Sequence, residues 1–163
     1  MPSPTAQDIM ARSEAILSPD TDIYVAMKQL LKRKLTGAPV VDEKKVLVGM
    51  LTERDCLKVL VGGAFEGLPS GTVSDYMTSP AESIAPTANL YDIVHKFLTR
   101  SYRKFPVVDE SGAVVGQVSR RDTLIALESV KDNPRLYGTG DALPQGTGVD
   151  SAMRSARARK RDD

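Results

Sequence analysis

The chain has 163 residues, 41% of them apolar and 26% charged, which suits one globular domain or two small halves sharing a core and excludes collagen, coiled coil and wholesale disorder. Through Lys131 it carries 16 Lys+Arg against 16 Asp+Glu, and aromatics reach only 5%, so neither a basic stripe nor a base-stacking platform is present and nucleic acid is not an expected partner. No apolar run approaches the roughly 18 to 20 residues of a membrane span, and the start MPSPTAQDIM lacks the basic and apolar regions of a signal peptide, so the expected address is the cytoplasm.

A helical turn is expected around Asp8-Ile9-Met10. It leads into an extended stretch, Ala15-Ile16-Leu17, ended by Ser18-Pro19. Thr21 then suits the cap of a helix whose apolar residues Ile23, Ala26, Met27, Leu30 and Leu31 keep helical spacing. Val40-Val41 and the run 46–51 read as two strands joined by the polar Asp42-Glu43-Lys44-Lys45. A helix starting at Thr52 carries Cys56, Leu57 and Leu60. After a Gly-rich linker over 62–74, the same order returns: a helix from about Thr87 bearing Leu90, Ile93, Val94, Phe97 and Leu98, two strands joined through Asp109-Glu110-Ser111-Gly112, and a helix from Ser119. Gly112 suits a turn position with positive φ.

The return is a duplication. Residues 8–60 align with 75–127 at a constant offset of 67 and without a gap, and 17 of the 53 positions are identical. Asp8 and Met10 recur as Asp75 and Met77, Tyr24 as Tyr91, Pro39-Val40-Val41-Asp42-Glu43 as Pro106-Val107-Val108-Asp109-Glu110, Val48-Gly49 as Val115-Gly116, and Arg54-Asp55 as Arg121-Asp122. One supersecondary unit is therefore used twice. The expected fold is α/β (α+β): two β-α-β-β-α repeats, 1–61 and 75–130, packed about a pseudo-twofold axis. A single unit of this length buries too little surface to stand alone comfortably.

No catalytic constellation accompanies this pattern. There is no phosphate-binding glycine loop of the Walker or dinucleotide type. The lone Cys56 excludes a disulfide within the chain and a multi-cysteine zinc site. Cys56 and His95 are each expected in packing or solvated roles rather than in catalysis. What recurs is Thr52-Glu53-Arg54-Asp55 and Ser119-Arg120-Arg121-Asp122, each after a strand and before a helix. One reading is a capping box, in which hydroxyl and carboxylate satisfy the helix N-terminus. The other is a nucleoside site, in which the carboxylate accepts from ribose hydroxyls while the helix N-terminus and the Ser/Thr hydroxyl face phosphate. Both can hold at once.

The order D-I-M, S-P-D-T, G-A-P-V-V-D, V-G-M-L-T-E-R-D and its copy resembles a tandem cystathionine β-synthase (CBS) domain pair, a Bateman module, over roughly residues 6–130. The resemblance implies a disc with two clefts for adenosine compounds: AMP, ADP, ATP, S-adenosylmethionine or dinucleotides. It implies ribose on Asp55 and Asp122, with Thr52 and Ser119 beside ribose or phosphate. It also implies a base pocket along Gly37-Ala38-Pro39 and Lys104-Phe105-Pro106. Lys104, where the first copy has Gly37, suggests a phosphate contact in one cleft; a solvated helix end is the plainer reading. Arg54, Arg120 and Arg121 are further phosphate candidates.

Together these features imply a non-catalytic regulatory module, with no cofactor in the catalytic sense, that homodimerises and signals to a partner protein. The alternative is an interaction scaffold with ligand-free pockets. The tail 131–163 lies outside the resemblance. Its Arg154–Arg161 stretch, five basic residues in eight, reads either as an anionic-partner contact or as a solubilising terminus.

Overall fold

The computed structural model describes residues 3–12, 16–62 and 70–132; Ala15, the linker centre and the basic tail lie outside the described residues. Ten elements follow in chain order: α1 (Ala6–Ile9), α2 (Ile23–Arg33), β1 (Gly37–Val41), β2 (Leu47–Thr52), α3 (Glu53–Gly62), α4 (Val73–Tyr76), α5 (Leu90–Thr99), β3 (Lys104–Val108), β4 (Val114–Ser119) and α6 (Arg120–Val130). Helix α2 is capped by Asp22 rather than Thr21: the Asp22 carboxylate accepts from the amides of Tyr24 at 2.9 Å and Val25 at 3.1 Å. The Thr21 carbonyl instead accepts from Val73 N at 2.8 Å. The counterpart of Asp22 is Asn89, which caps α5 by accepting from Asp92 N, so that helix begins at Leu90 and not near Thr87.

β1 pairs antiparallel with β2, from Gly37 opposite Thr52 to Val41 opposite Leu47, and β3 pairs with β4 in the matching register from Lys104 opposite Ser119. The leading strand of each repeat shrinks to one residue. Leu17 N donates to Pro39 O at 2.9 Å and Leu17 O accepts from Val41 N at 2.9 Å; Ile84 does the same with Pro106 and Val108. The next donor of such a parallel ladder is two residues on, and there stand Pro19 and Pro86, which have no N–H to give.

The short leading helices change places. Ala6 N and Gln7 N of α1 donate to Ala88 O and Pro86 O of the second repeat, while Val73 N and Ser74 N of α4 donate to Thr21 O and Pro19 O of the first. Ala6 is buried with Ile84, Ile93, Phe105, Val107 and Val118; Val73 is buried with Leu17, Ile23, Ala26, Val40 and Leu51. Each hydrophobic core is thus completed by the other repeat, and burial of these side chains resists separation of the halves.

The exchange obeys the sequence offset. Ala11 bridges Gln117 as Thr78 bridges Met50, and Thr5 bridges Asn89 as Thr72 bridges Asp22. Val46 bridges Ala113, its own counterpart, so this pair marks the pseudo-twofold axis. Beside it Leu47 N donates to Gly112 O at 3.0 Å and Val114 N to Lys45 O at 3.3 Å. Gly112 takes φ +85° as the turn requires, and its counterpart Lys45 is held at φ +63°.

Candidate functional site at the repeat junction

A cleft of about 660 Å³ opens where the starts of β1 and β3 face each other, a size within the usual range for small-molecule sites. The first repeat supplies Thr36, Gly37, Met50, the turn Thr52–Asp55, Leu57 and Lys58; Thr78, two residues past the end of α4, and the segment Ser101–Lys104 close the other side. Its charged lining is Arg54, Lys58, Arg103 and Lys104 against Glu53 and Asp55, a positive balance that suits an anionic ligand. The backbone fixes the two walls: Glu53 N donates to Thr36 O at 2.9 Å, and the matching Arg120 N to Arg103 O at 3.3 Å.

Asp55 is 2% exposed. Its Oδ2 accepts from Thr52 N at 3.0 Å and Thr52 Oγ1 at 2.9 Å, and its Oδ1 from Lys58 Nζ at 2.7 Å and Thr78 Oγ1 at 3.2 Å. Burial by itself pushes this carboxyl up; the hydrogen bonds from Lys58 and Thr52 and the Lys58 charge outweigh it and hold the group below its ordinary value. The capping reading is therefore correct for Asp55, and the residue does more than cap, because it ties α3 to the chain after α4.

Asp122 repeats the inner half of this arrangement. Its Oδ2 accepts from Ser119 N at 2.8 Å and Ser119 Oγ at 2.6 Å, closing a capping box on α6. The outer half differs. The counterpart of Lys58 is Ile125 and that of Thr78 is Ala11, so neither cation nor hydroxyl reaches Oδ1, which has no hydrogen-bond partner among the described residues.

Of the residues singled out in the sequence, Gly37, Thr52, Arg54, Asp55 and Lys104 share the large cleft. Ala38, Pro39, Phe105 and Pro106 are fully buried in β1 and β3, outside its lining. Phe105 packs between Phe97 and Tyr102, with ring centroids 4.9 and 5.0 Å away, and Lys96 Nζ lies 5.5 Å from its ring. Ser119, Asp122 and the exposed Arg121 stand at the start of α6, also outside the large cleft. Sequence reasoning missed Met50, Lys58, Thr78 and Tyr102. Lys58 was accessible as the i+3 neighbour of Asp55 on a helix; Thr78 reaches Asp55 only through the exchange of α4.

Cys56 is half-buried, and burial together with the charges of Asp55 and Glu53 pushes its thiol up. His95 stacks on Tyr91 at 6.4 Å between ring centroids. No group of three or more His, Cys, Asp or Glu side chains that could hold a metal ion occurs among the described residues. No helix among them is long and apolar enough to cross a membrane.

Two half-units that complete each other's cores about a twofold, with a small-molecule-sized cleft at their junction, define a paired-repeat module. A family model for the CBS domain matches residues 6–62 and again 73–129, and the chain belongs to that family as a tandem pair. The protein MJ1225 of Methanocaldococcus jannaschii is 28% identical over 123 residues, which span 76% of this chain and 42% of that one. Among solved structures, CBSX2 of Arabidopsis thaliana in complex with AMP is similar at a TM-score of 0.69 and 27% identity, over 78% of this chain and 98% of that one. The CBS domain pair of MJ0100 in complex with 5′-methylthioadenosine and S-adenosyl-L-methionine is similar at 0.68 and 26%, over 80% and 99%.

Proposed function

We infer that this chain is a non-catalytic regulatory module of the cytoplasm that binds an adenosine-containing ligand of the AMP, ADP or ATP type, or S-adenosylmethionine, at the junction of its repeats. The observation that carries the reading is the junction itself. The strand-to-helix turn Thr52–Asp55, with its aspartate and hydroxyl residue, lines a space whose other wall presents Arg103 and Lys104. Carboxylates suit vicinal ribose hydroxyls, and the cations suit phosphate. The AMP complex of CBSX2 and the S-adenosylmethionine complex of MJ0100 support this ligand class. A ligand held across both repeats favours one relative placement of the halves, and a homodimer or a partner protein reads that preference.

Thermal unfolding of the purified chain with AMP, ADP, ATP and S-adenosylmethionine tests the reading. A ligand at 100 times its Kd stabilises by about 2.7 kcal/mol, a readily measured rise in Tm. The second reading, a scaffold with ligand-free pockets, is favoured by the internal hydrogen bonding of Asp55, whose two oxygens are both occupied. It expects no shift with any of the four compounds.

A further inference from the structure

Helix α5 carries a pair of opposite charges that does not close. Asp92 and Lys96 stand four residues apart with the acid first, the spacing and order that favour an ion pair along a helix. The Lys96 ammonium turns elsewhere: it donates to Ser83 O and lies 5.5 Å from the centre of the Phe105 ring. The Asp92 carboxylate and the ring of His95 have no hydrogen-bond partner among the described residues, and His95 is held by stacking on Tyr91. All three side chains line a cavity of about 300 Å³ between α5 and the leading segment of the second repeat, where Ile84, Ala85 and Ala88 form an apolar wall. The repeat architecture does not require this arrangement. At the offset of 67 the first repeat has Val25 for Asp92, Lys28 for His95 and Gln29 for Lys96.

We propose that this cavity is a second ligand site, for a small aliphatic α-amino acid held as its zwitterion between Asp92 and Lys96. The ligand's ammonium donates to the Asp92 carboxylate. Its carboxylate accepts from Lys96 and from a ring N–H of His95, and its side chain lies against Ile84, Ala85 and Ala88. A ligand of one sign satisfies one member of the open pair and leaves the other; a zwitterion satisfies both, through hydrogen bonds in which each partner is charged. The volume stands at the small end of the range for ligand sites and suits a molecule of this size. The cavity shares no lining residue with the cleft at the repeat junction, so the assignment does not rest on the nucleotide reading. Ala88 O also accepts from Ala6 N of the exchanged α1 at 2.9 Å, so an occupant touches the segment on which the first repeat's leading helix docks.

Amide chemical-shift titration of the isotope-labelled full chain tests the site, with L-valine as the probe. Isovalerate, which lacks the ammonium, and isobutylamine, which lacks the carboxylate, run beside it. L-valine is expected to shift the amides of α5 and of the segment Ser83–Ala88 saturably, and each half-ligand to bind about tenfold more weakly or worse. Asp92→Asn and Lys96→Met should each weaken L-valine by a similar factor. Neither variant disturbs the core, because Asp92 is exposed and methionine keeps an apolar stem beside Phe105, and circular dichroism checks that both remain folded. Absence of saturable shifts with L-valine overturns the site. Isovalerate binding as tightly as L-valine overturns it too, since the cavity would then read only the cation, and so does unchanged L-valine affinity in either variant.

Discussion

Met77 stands so close to Gly49 that a Cβ on the glycine would lie 2.6 Å from its Sδ, and Met10 stands against Gly116 at the same 2.6 Å. Each methionine follows one of the exchanged leading helices, and each glycine sits in the second strand of the repeat that receives it. The recurrence of Asp-x-Met and Val-Gly at one offset is thus a single contact made twice. The sulfur fills the space that a side chain would otherwise occupy.

Substitution of either glycine by alanine is expected to destabilise the protein. The new methyl also meets backbone oxygen, Thr78 O at 3.0 Å from position 49 and Ala11 O at 2.8 Å from position 116. The methionine can turn aside; the backbone cannot without loosening the helix. The cost is about 1 to 3 kcal/mol, as for overpacked cores, with Gly116→Ala the more severe. Urea unfolding of the two variants checks this, and equal stability to wild type would contradict the close packing.

The paired turns on the pseudo-twofold give a prediction of the opposite sign. Lys45 is held at φ +63° where its counterpart Gly112 takes φ +85°. A side chain in the left-handed region costs on the order of 1 kcal/mol that glycine does not. Lys45→Gly therefore stabilises by up to about 1 kcal/mol, less the extra freedom glycine has when unfolded. Gly112→Lys destabilises, because its Cβ would also lie 3.2 Å from Val46 Cγ1. Differential scanning calorimetry of the pair reads both signs in one experiment.

Much of this architecture was legible. The helical stripe of Ile23, Ala26 and Leu30 and the Asp109–Gly112 turn depend on neighbours in sequence, and a period or a turn type reveals them. The exchange of α1 and α4 was not legible for a symmetric reason. Met10 and Met77 are identical, as are Gly49 and Gly116, so sequence alone cannot say which methionine meets which glycine. Among the described residues the leading strand pairs through Leu17 alone, and the missing N–H of Pro19 ends its ladder at the Ser18-Pro19 stop that the sequence displays. At the large cleft, Asp55 and Lys104 stand in motifs that the sequence displays. The loss of equivalence between Asp55 and Asp122 turns on Lys58 against Ile125 and on Thr78 against Ala11, and the second difference matters only after the exchange.

Acid should act through the first of those aspartates. The native Asp55 carboxyl lies below its ordinary 3.8 through its bonds to Lys58 and Thr52, so its ionised form stabilises the fold fully above that value. The contribution is lost as pH falls through the lower native pKa, because the unfolded chain takes up the proton first. Asp8 and Asp109, held down by Thr5 and Ser111, act in the same direction. Asp55→Asn costs about 1 to 2 kcal/mol at neutral pH through its weakened hydrogen bonds. Its stability then declines less steeply than that of wild type below pH 3.8. Urea midpoints at neutral pH and across the acid range measure both, and parallel curves would refute the role of this carboxylate.

The exposed faces of α3 and α6 bear on assembly. Leu57, Leu60 and Val61 are 72%, 77% and 81% exposed, and Leu124 and Ile125 are 65% and 60% exposed. Leu57 and Leu124 are counterparts, so the two helices present matching apolar surface. Apolar side chains clustered in this way mark an association surface more often than a solvated one. A twofold dimer buries the same patch on both subunits, and a stable one covers roughly 1,200 to 2,000 Å² in total. Wild-type protein is expected to sediment as a dimer, and Leu60→Lys combined with Leu124→Lys to sediment as a monomer with an unchanged circular dichroism spectrum. Because neither side chain lines the large cleft, the monomer should still bind AMP if the wild type does. A wild type that sediments as a monomer would remove the homodimer from the proposed mode of action and leave these faces to the regulated partner.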